Sequence, residues 1–191
     1  MIGVLGGSFN PPHNGHVELA RAALDRFGLE RLLVPVVDTP GHKDVELDPE
    51  TRLRLARAAF GGLPRTTVER DEHPRTVDSL RALDLVDPLF VVGADEFAEF
   101  PSWKDPDGVL ELARLGVGTR PGYPREALEA VLAGLRRPDR VLFFEIEPFE
   151  ISSRDIRDRV ARGESVDALV PPRVADLIRE LGLYRHDGGL H

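Results

Sequence analysis

Short apolar runs alternate with amphipathic stretches along most of this 191-residue chain, and that alternation constrains the fold more than any other feature. Ile2–Leu5 is an apolar run that stops at Gly6-Gly7, the pattern of a buried strand ending in a turn. Val17, Ala20, Leu24 and Phe27 then recur at helical spacing, with Glu18, Arg21, Asp25 and Arg26 opposite. Further strands are predicted at Arg31–Val37, Thr66–Glu69, Leu89–Val92, Arg114–Thr119 and Val141–Ile146. Helices are predicted at Thr51–Phe60, from about Thr76 to Val86, near Arg125–Gly134, and near Ser153–Arg162 and Pro171–Leu181. Strands that are apolar on both sides and separated by helices imply a parallel sheet covered on both faces. The expectation is one doubly wound, Rossmann-like α/β domain over residues 1–184, its sheet mostly parallel, with 185–191 as a mobile tail.

Composition narrows the chemistry. The chain has no cysteine, so thiolate metal sites, iron–sulfur clusters and cysteine nucleophiles are excluded, which fits a reducing cytoplasm. Its net charge is −8, so it lacks the field that draws proteins to nucleic acid or anionic lipid, and neither is an expected partner. No run approaches ~18 apolar residues, and the N-terminus has no basic leader, so neither a membrane span nor a signal peptide is expected.

In such a fold, ligands bind outside the carboxyl ends of the strands. The first loop there is Gly6-Gly7-Ser8-Phe9-Asn10-Pro11-Pro12-His13-Asn14-Gly15-His16. It runs from a strand into a helix, where free N–H groups and the helix dipole favour phosphate. His13 and His16 add ring N–H donors. The loop is not a Walker motif, and Gly116-Val117-Gly118 has its next glycine at 122, one position too far for a dinucleotide fingerprint. After the last strand, Ser152-x-x-Asp155 matches a capping box, and Arg157 adds a cationic fork suited to pyrophosphate. Gly93-Ala94-Asp95 follows the most apolar strand, where an aspartate can accept a ribose hydroxyl.

The segment Gly7–His16 resembles the signature of the nucleotidyltransferases that carry His-x-Gly-His, and within them it is most similar to bacterial nicotinate-nucleotide adenylyltransferases. Four further segments occur in the same order, so the resemblance spans about residues 1–184. They are His42-Lys43, Arg75–Leu80, Gly93–Asp95 with Trp103-Lys104, and Ile151–Arg157. The resemblance implies adenylyl transfer from ATP to nicotinate mononucleotide, giving the dinucleotide and pyrophosphate. It implies His13, His16 and Arg157 as catalytic, and Gly7, Ser8, Phe9, Gly93, Asp95, Ile151, Ser152 and Ser153 beside them on ATP. Trp103 would stack on the pyridinium, with Thr76, a candidate N-cap, beside the ring; Lys43 and Arg120 are candidate anchors for the mononucleotide phosphate. No protein metal site is expected, with Mg²⁺ carried on the nucleotide phosphates.

Three positions depart from the family pattern: Asn10 replaces its aspartate, Arg154 its threonine, and Arg75 its tyrosine. The same chemistry on nicotinamide mononucleotide, phosphopantetheine or another phosphate acceptor stays open, as does a non-catalytic nucleotide sensor, while a two-histidine hydrolase lacks its carboxylate or metal partner. Oligomeric state is open too, with a homo-oligomer among the alternatives. Pro- and Gly-rich loops around residues 38–48 and 101–124 are candidates to close over substrate.

Overall fold

A computed structural model describes residues 1–41, 45–121 and 123–185. Its strands are β1 (Ile2–Val4), β2 (Arg31–Val37), β3 (Thr66–Asp71), β4 (Leu89–Gly93), β5 (Arg114–Thr119) and β6 (Val141–Glu145). Its helices are α1 (Asn14–Phe27), α2 (Pro49–Phe60), α3 (Thr76–Leu83), α4 (Ala94–Ala98), α5 (Pro106–Leu112), α6 (Arg125–Ala133), α7 (Ser153–Ala161) and α8 (Pro172–Glu180).

The six strands form one sheet in the order β3-β2-β1-β4-β5-β6. All neighbours run parallel, so the sheet is more uniform than the mostly parallel one expected. Alternate strand residues feed two cores. Val34, Leu89 and Val91 join Leu24, Leu53, Phe60, Ile156, Val174 and Ile178 on one face, served by α1, α2, α7 and α8. Val4, Phe90 and Val92 join Val77, Leu80, Phe97, Val109 and Leu128 on the other, served by α3 to α6. This two-sided burial is why the strands read as continuous apolar runs and not as alternating ones.

Strand order reverses between β1 and β4, which pair through Val4 and Phe90. Sheets of this kind bind ligands beyond the carboxyl ends of the strands at such a reversal. The chain leaves the sheet there by a specific device. Leu5 N–H bonds Leu33 O at 2.9 Å and Gly7 N–H bonds Pro35 O at 3.2 Å, but Pro35 has no N–H to return. The ladder thins at that rung, Gly7 still pairs beyond it through Val37 N–H on Gly7 O at 3.0 Å, and the loop carrying the histidines departs after Gly7.

Three expectations change. Helix α3 ends at Leu83, short of Val86, because Asp84 turns left-handed at φ 47° and Asp87 repeats the turn before Pro88. Two helices, α4 and α5, lie where the sequence pattern shows only loop. At five and seven residues they are too short to display helical periodicity. Residues 101–124 are consequently not one closing loop: a 3₁₀ turn at Phe100–Ser102, α5 and β5 occupy most of them. The chain beyond Arg185, apart from that residue, lies outside the described residues, and so does the tail expected there.

Candidate active site

The loop after β1 is shaped by side chains that fold back beneath it. Phe9 adopts a left-handed backbone, φ 46°, and buries its ring against Phe60 and His16. A Cβ on Gly7 would lie 3.0 Å from that ring, so the close approach requires glycine. His13 then occupies the N-cap of α1. Its backbone N–H donates to His16 Nδ1 at 3.2 Å, which places the proton of a neutral His16 ring on Nε2. The two imidazoles stack with centroids 3.7 Å apart and planes 29° off parallel. Gly15 between them permits the stack, since a Cβ there would sit 3.0 Å from His13 Nδ1.

His13 is buried, and its Nδ1 has no hydrogen-bond partner among the described residues. Such an atom is costly to bury unless a ligand or water completes it. Burial lowers the His13 pKa from 6.5 to about 4, although the nearby charge of Asp155 acts the other way. The unfolded chain therefore binds a proton near pH 6.5 that the folded chain refuses until about pH 4. Stability from this group is complete above pH 6.5 and is lost as pH falls towards 4. The shift of about 2.5 pH units corresponds to roughly 3 kcal/mol. Urea unfolding at pH 7.5 and 4.5 should show a fall about 2–3 kcal/mol smaller in His13→Gln than in wild type. Equal falls in both proteins would refute the assignment.

The loop after β6 meets this one. Ser152 caps α7: its Oγ accepts from Asp155 N–H at 3.1 Å and donates to Asp155 Oδ2 at 2.6 Å. These bonds hold the Asp155 carboxyl below its usual range. Ser153 Oγ donates to Pro11 O at 2.8 Å, and Arg157 Nη1 donates to Asn10 O at 2.9 Å. Arg157 Nε also lies 3.6 Å from Glu46 Oε1. Ile151 packs against the first core, while Arg154 is exposed beside Asp155. One α1 donor is already used by protein, since Asn14 N–H bonds Leu169 O at 3.0 Å. That N–H is therefore not open to a ligand, which leaves the histidine rings and Arg157 as the candidate donors there.

After β4, Gly93 is the N-cap of α4, and open space lies where its Cβ would be. Asp95 sits in the first turn of α4 and is hydrogen-bonded by the Tyr123 phenol, whose pKa is raised by burial and by the Asp95 charge. Trp103 is half-buried at the margin of the second core, edge-on to Phe90 at 6.1 Å and Phe100 at 5.3 Å. Thr76 is the first helical residue of α3, not its N-cap; Arg75 takes that place, and its Nη2 donates to Gly41 O at 2.7 Å. Lys104 Nζ lies 2.8 Å from Asp78 Oδ2, which ties the Trp103 segment to the helix that starts at Thr76. Arg120, at the end of β5, faces Glu150 at 4.0 Å and has no polar side-chain contact with α3 among the described residues. Lys43 lies outside the described residues.

Two residues that sequence reasoning missed tie the site together. Arg52 is fully buried on α2, where its guanidinium donates to Leu47 O at 3.1 Å, Ser8 O at 3.0 Å, Val37 O at 2.7 Å and also Asp38 O. The signal was readable, because Arg52 falls in register with Leu55, Ala56 and Ala59 on the buried stripe of α2. Tyr184 is buried and donates to Asn10 Oδ1 at 2.8 Å. Nothing in its local sequence marks that partner, 174 residues away. Among the described residues, no group of three or more His, Cys, Asp or Glu side chains is arranged to hold a metal ion. No helix among them is long and apolar enough to cross a membrane.

Residues 4–159 match the cytidylyltransferase-like family. Two bacterial relatives carry the name "Probable nicotinate-nucleotide adenylyltransferase". That of Rubrobacter xylanophilus is 35% identical, covering 97% of this chain and 92% of its own. That of Bordetella avium is 35% identical over 96% and 98%. The solved Plasmodium falciparum nicotinic acid mononucleotide adenylyltransferase complexed with NaAD shares the fold, with a TM-score of 0.77 over 96% of each chain at 16% identity. The chain belongs to the cytidylyltransferase-like nucleotidyltransferases and, among them, to the nicotinate-nucleotide adenylyltransferase family.

Proposed function

We propose that this chain transfers the adenylyl group of ATP to the phosphate of nicotinate mononucleotide, forming nicotinate adenine dinucleotide and pyrophosphate. The observation that carries the reading is the meeting of the loop after β1 with the start of α7, through Ser153 on Pro11 and Arg157 on Asn10, beside a stacked histidine pair. A mononucleotide phosphate oxygen attacks the α-phosphorus of ATP. The bond from that phosphorus to the bridging oxygen breaks, and pyrophosphate leaves. The attacking monoester is already an anion near neutral pH, so the site needs no strong base. It must hold two anions together and offset the charge that develops on the departing side.

His16 and His13 supply ring donors at the start of α1, and Arg157 supplies a guanidinium fork from α7. Magnesium would enter with the triphosphate as part of the substrate and would offset part of its charge. Gly93 and Asp95 receive the adenosine, with Asp95 exchanging its Tyr123 partner for a ribose hydroxyl. Trp103 and Thr76 flank the pyridine ring, and Arg120 meets a substrate phosphate. Pyrophosphate release is measured with ATP, Mg²⁺ and a panel of acceptors: the nicotinate and nicotinamide mononucleotides and phosphopantetheine. Nicotinate mononucleotide should give the highest kcat/KM, at least about tenfold above its amide, because an anionic carboxylate and a neutral amide demand opposite partners. A preference for another acceptor would displace the substrate assignment. ATP binding without pyrophosphate release would make the protein a sensor.

A further inference from the structure

We infer that Tyr184 is a positioning residue for the transfer reaction, holding Arg157 in place through Asn10. The inference rests on the reading above, and its own evidence lies in how the turn after α8 reaches the first loop. Helix α8 is fixed by Val174 and Ile178 in the same core as Leu53 and Phe60. After it, Gly182 at φ 62° and Tyr184 at φ 61° both turn left-handed, with Leu183 N–H bonded back to Ile178 O at 3.0 Å. A tyrosine adopts that backbone region only at a cost, which its side-chain contacts must offset. Those contacts are a buried ring and a phenol that donates to Asn10 Oδ1 at 2.8 Å.

Asn10 is itself buried and works at both ends. Its side-chain oxygen takes the Tyr184 proton, and its backbone oxygen takes Arg157 Nη1 at 2.9 Å. With Nη1 anchored, Nη2 of Arg157 makes no hydrogen bond among the described residues and is the edge left for a phosphate oxygen. The phenol lies close enough to Arg157 and Arg52 for both cations to favour its ionisation, with Glu46 opposing them. Burial still dominates and keeps its pKa far above the usual tyrosine value. Tyr184 therefore remains a proton donor at any working pH. An Asn10 side chain that lost this donor would leave a buried acceptor unpaired and release the loop from which Arg157 hangs.

The test is a double-mutant cycle on pyrophosphate release, read as kcat and KM alongside thermal unfolding, for wild type, Tyr184→Phe, Arg157→Ala and the double variant. Tyr184→Phe keeps the ring and removes one hydroxyl. It should lower kcat about tenfold, with KM for the mononucleotide within twofold, since misplacement of a charge-stabilising group acts in the transition state. In the Arg157→Ala background the same change should cost less than about twofold, because the group it positions is gone. Asn10→Leu removes the acceptor from the other end, must reproduce both results, and stands in should Tyr184→Phe fail to fold. A kcat within twofold of wild type, or an equal loss in both backgrounds, would reject the positioning role and leave the proposed reaction standing. Absence of wild-type turnover with every acceptor would instead overturn that reaction and this inference with it.

Discussion

Arg52→Met should lower the unfolding free energy by about 3–5 kcal/mol and shift the urea midpoint accordingly. Burying a guanidinium is itself expensive: desolvation lowers the Arg52 pKa despite the nearby Asp38 and Asp48. Replacing a buried ion pair with apolar side chains is often neutral, because both charges vanish together. Arg52 differs in its partners, which are the backbone carbonyls of Ser8, Val37, Asp38 and Leu47. A mutation cannot remove them. Each would depend on water at a partly buried position, at the low end of about 1–3 kcal/mol apiece, and together this outweighs the recovered desolvation. Arg52→Lys should fall between, since one ammonium cannot span four acceptors arranged around a planar fork. Equal midpoints for wild type and Arg52→Met would show that these carbonyls are satisfied some other way. Activity should fall with stability, because one of the four acceptors lies five residues before His13.

The contrast between Arg52 and the motif residues shows what the sequence could carry. The four inner strands, β1, β2, β4 and β5, were legible because each is buried on both faces and stops at glycine or a charge, whereas the edge strands β3 and β6 are partly exposed. Alternation along Leu89–Val92 is absent for the same reason that Phe90 and Leu89 enter opposite cores. The capping box at Ser152 was legible because both partners lie within one helical turn. Helices α4 and α5 were not, since neither is long enough to show a period. The N-cap of α3 was misplaced by one residue: threonine is a good cap by type, yet Arg75 sits there without any side-chain cap bond. The histidine loop could be recognised, but its support could not. Arg157 on Asn10 and Tyr184 on Asn10 join residues 147 and 174 positions apart. No local pattern encodes such a pair. Tertiary packing creates it, with α7 and α8 returning to the core face that α1 and α2 cover.

His16→Ala should lower kcat for pyrophosphate release by about 10²–10³-fold while changing the KM for the mononucleotide little. The ring is held on three sides: by the His13 backbone N–H at Nδ1, by the stacked His13 ring, and by the Phe9 edge at 5.3 Å. Such fixing is of small value for stability, since Phe9 and Phe60 retain their own contact when the imidazole goes. On the proposed reading, its value would lie in holding the ring in place before substrate arrives, so that little reorganisation is needed when charge builds on the leaving phosphate. Burial keeps His13 neutral down to about pH 4, so near neutrality its ring donates as an imidazole and not as a cation. The measurement pairs turnover with ATP binding by calorimetry. A variant that binds ATP within about threefold of wild type yet turns over at under about 1% places His16 in the transition state and not in ground-state affinity. Turnover within a few-fold of wild type would remove it from the chemistry and leave Arg157 with His13 to carry the charge.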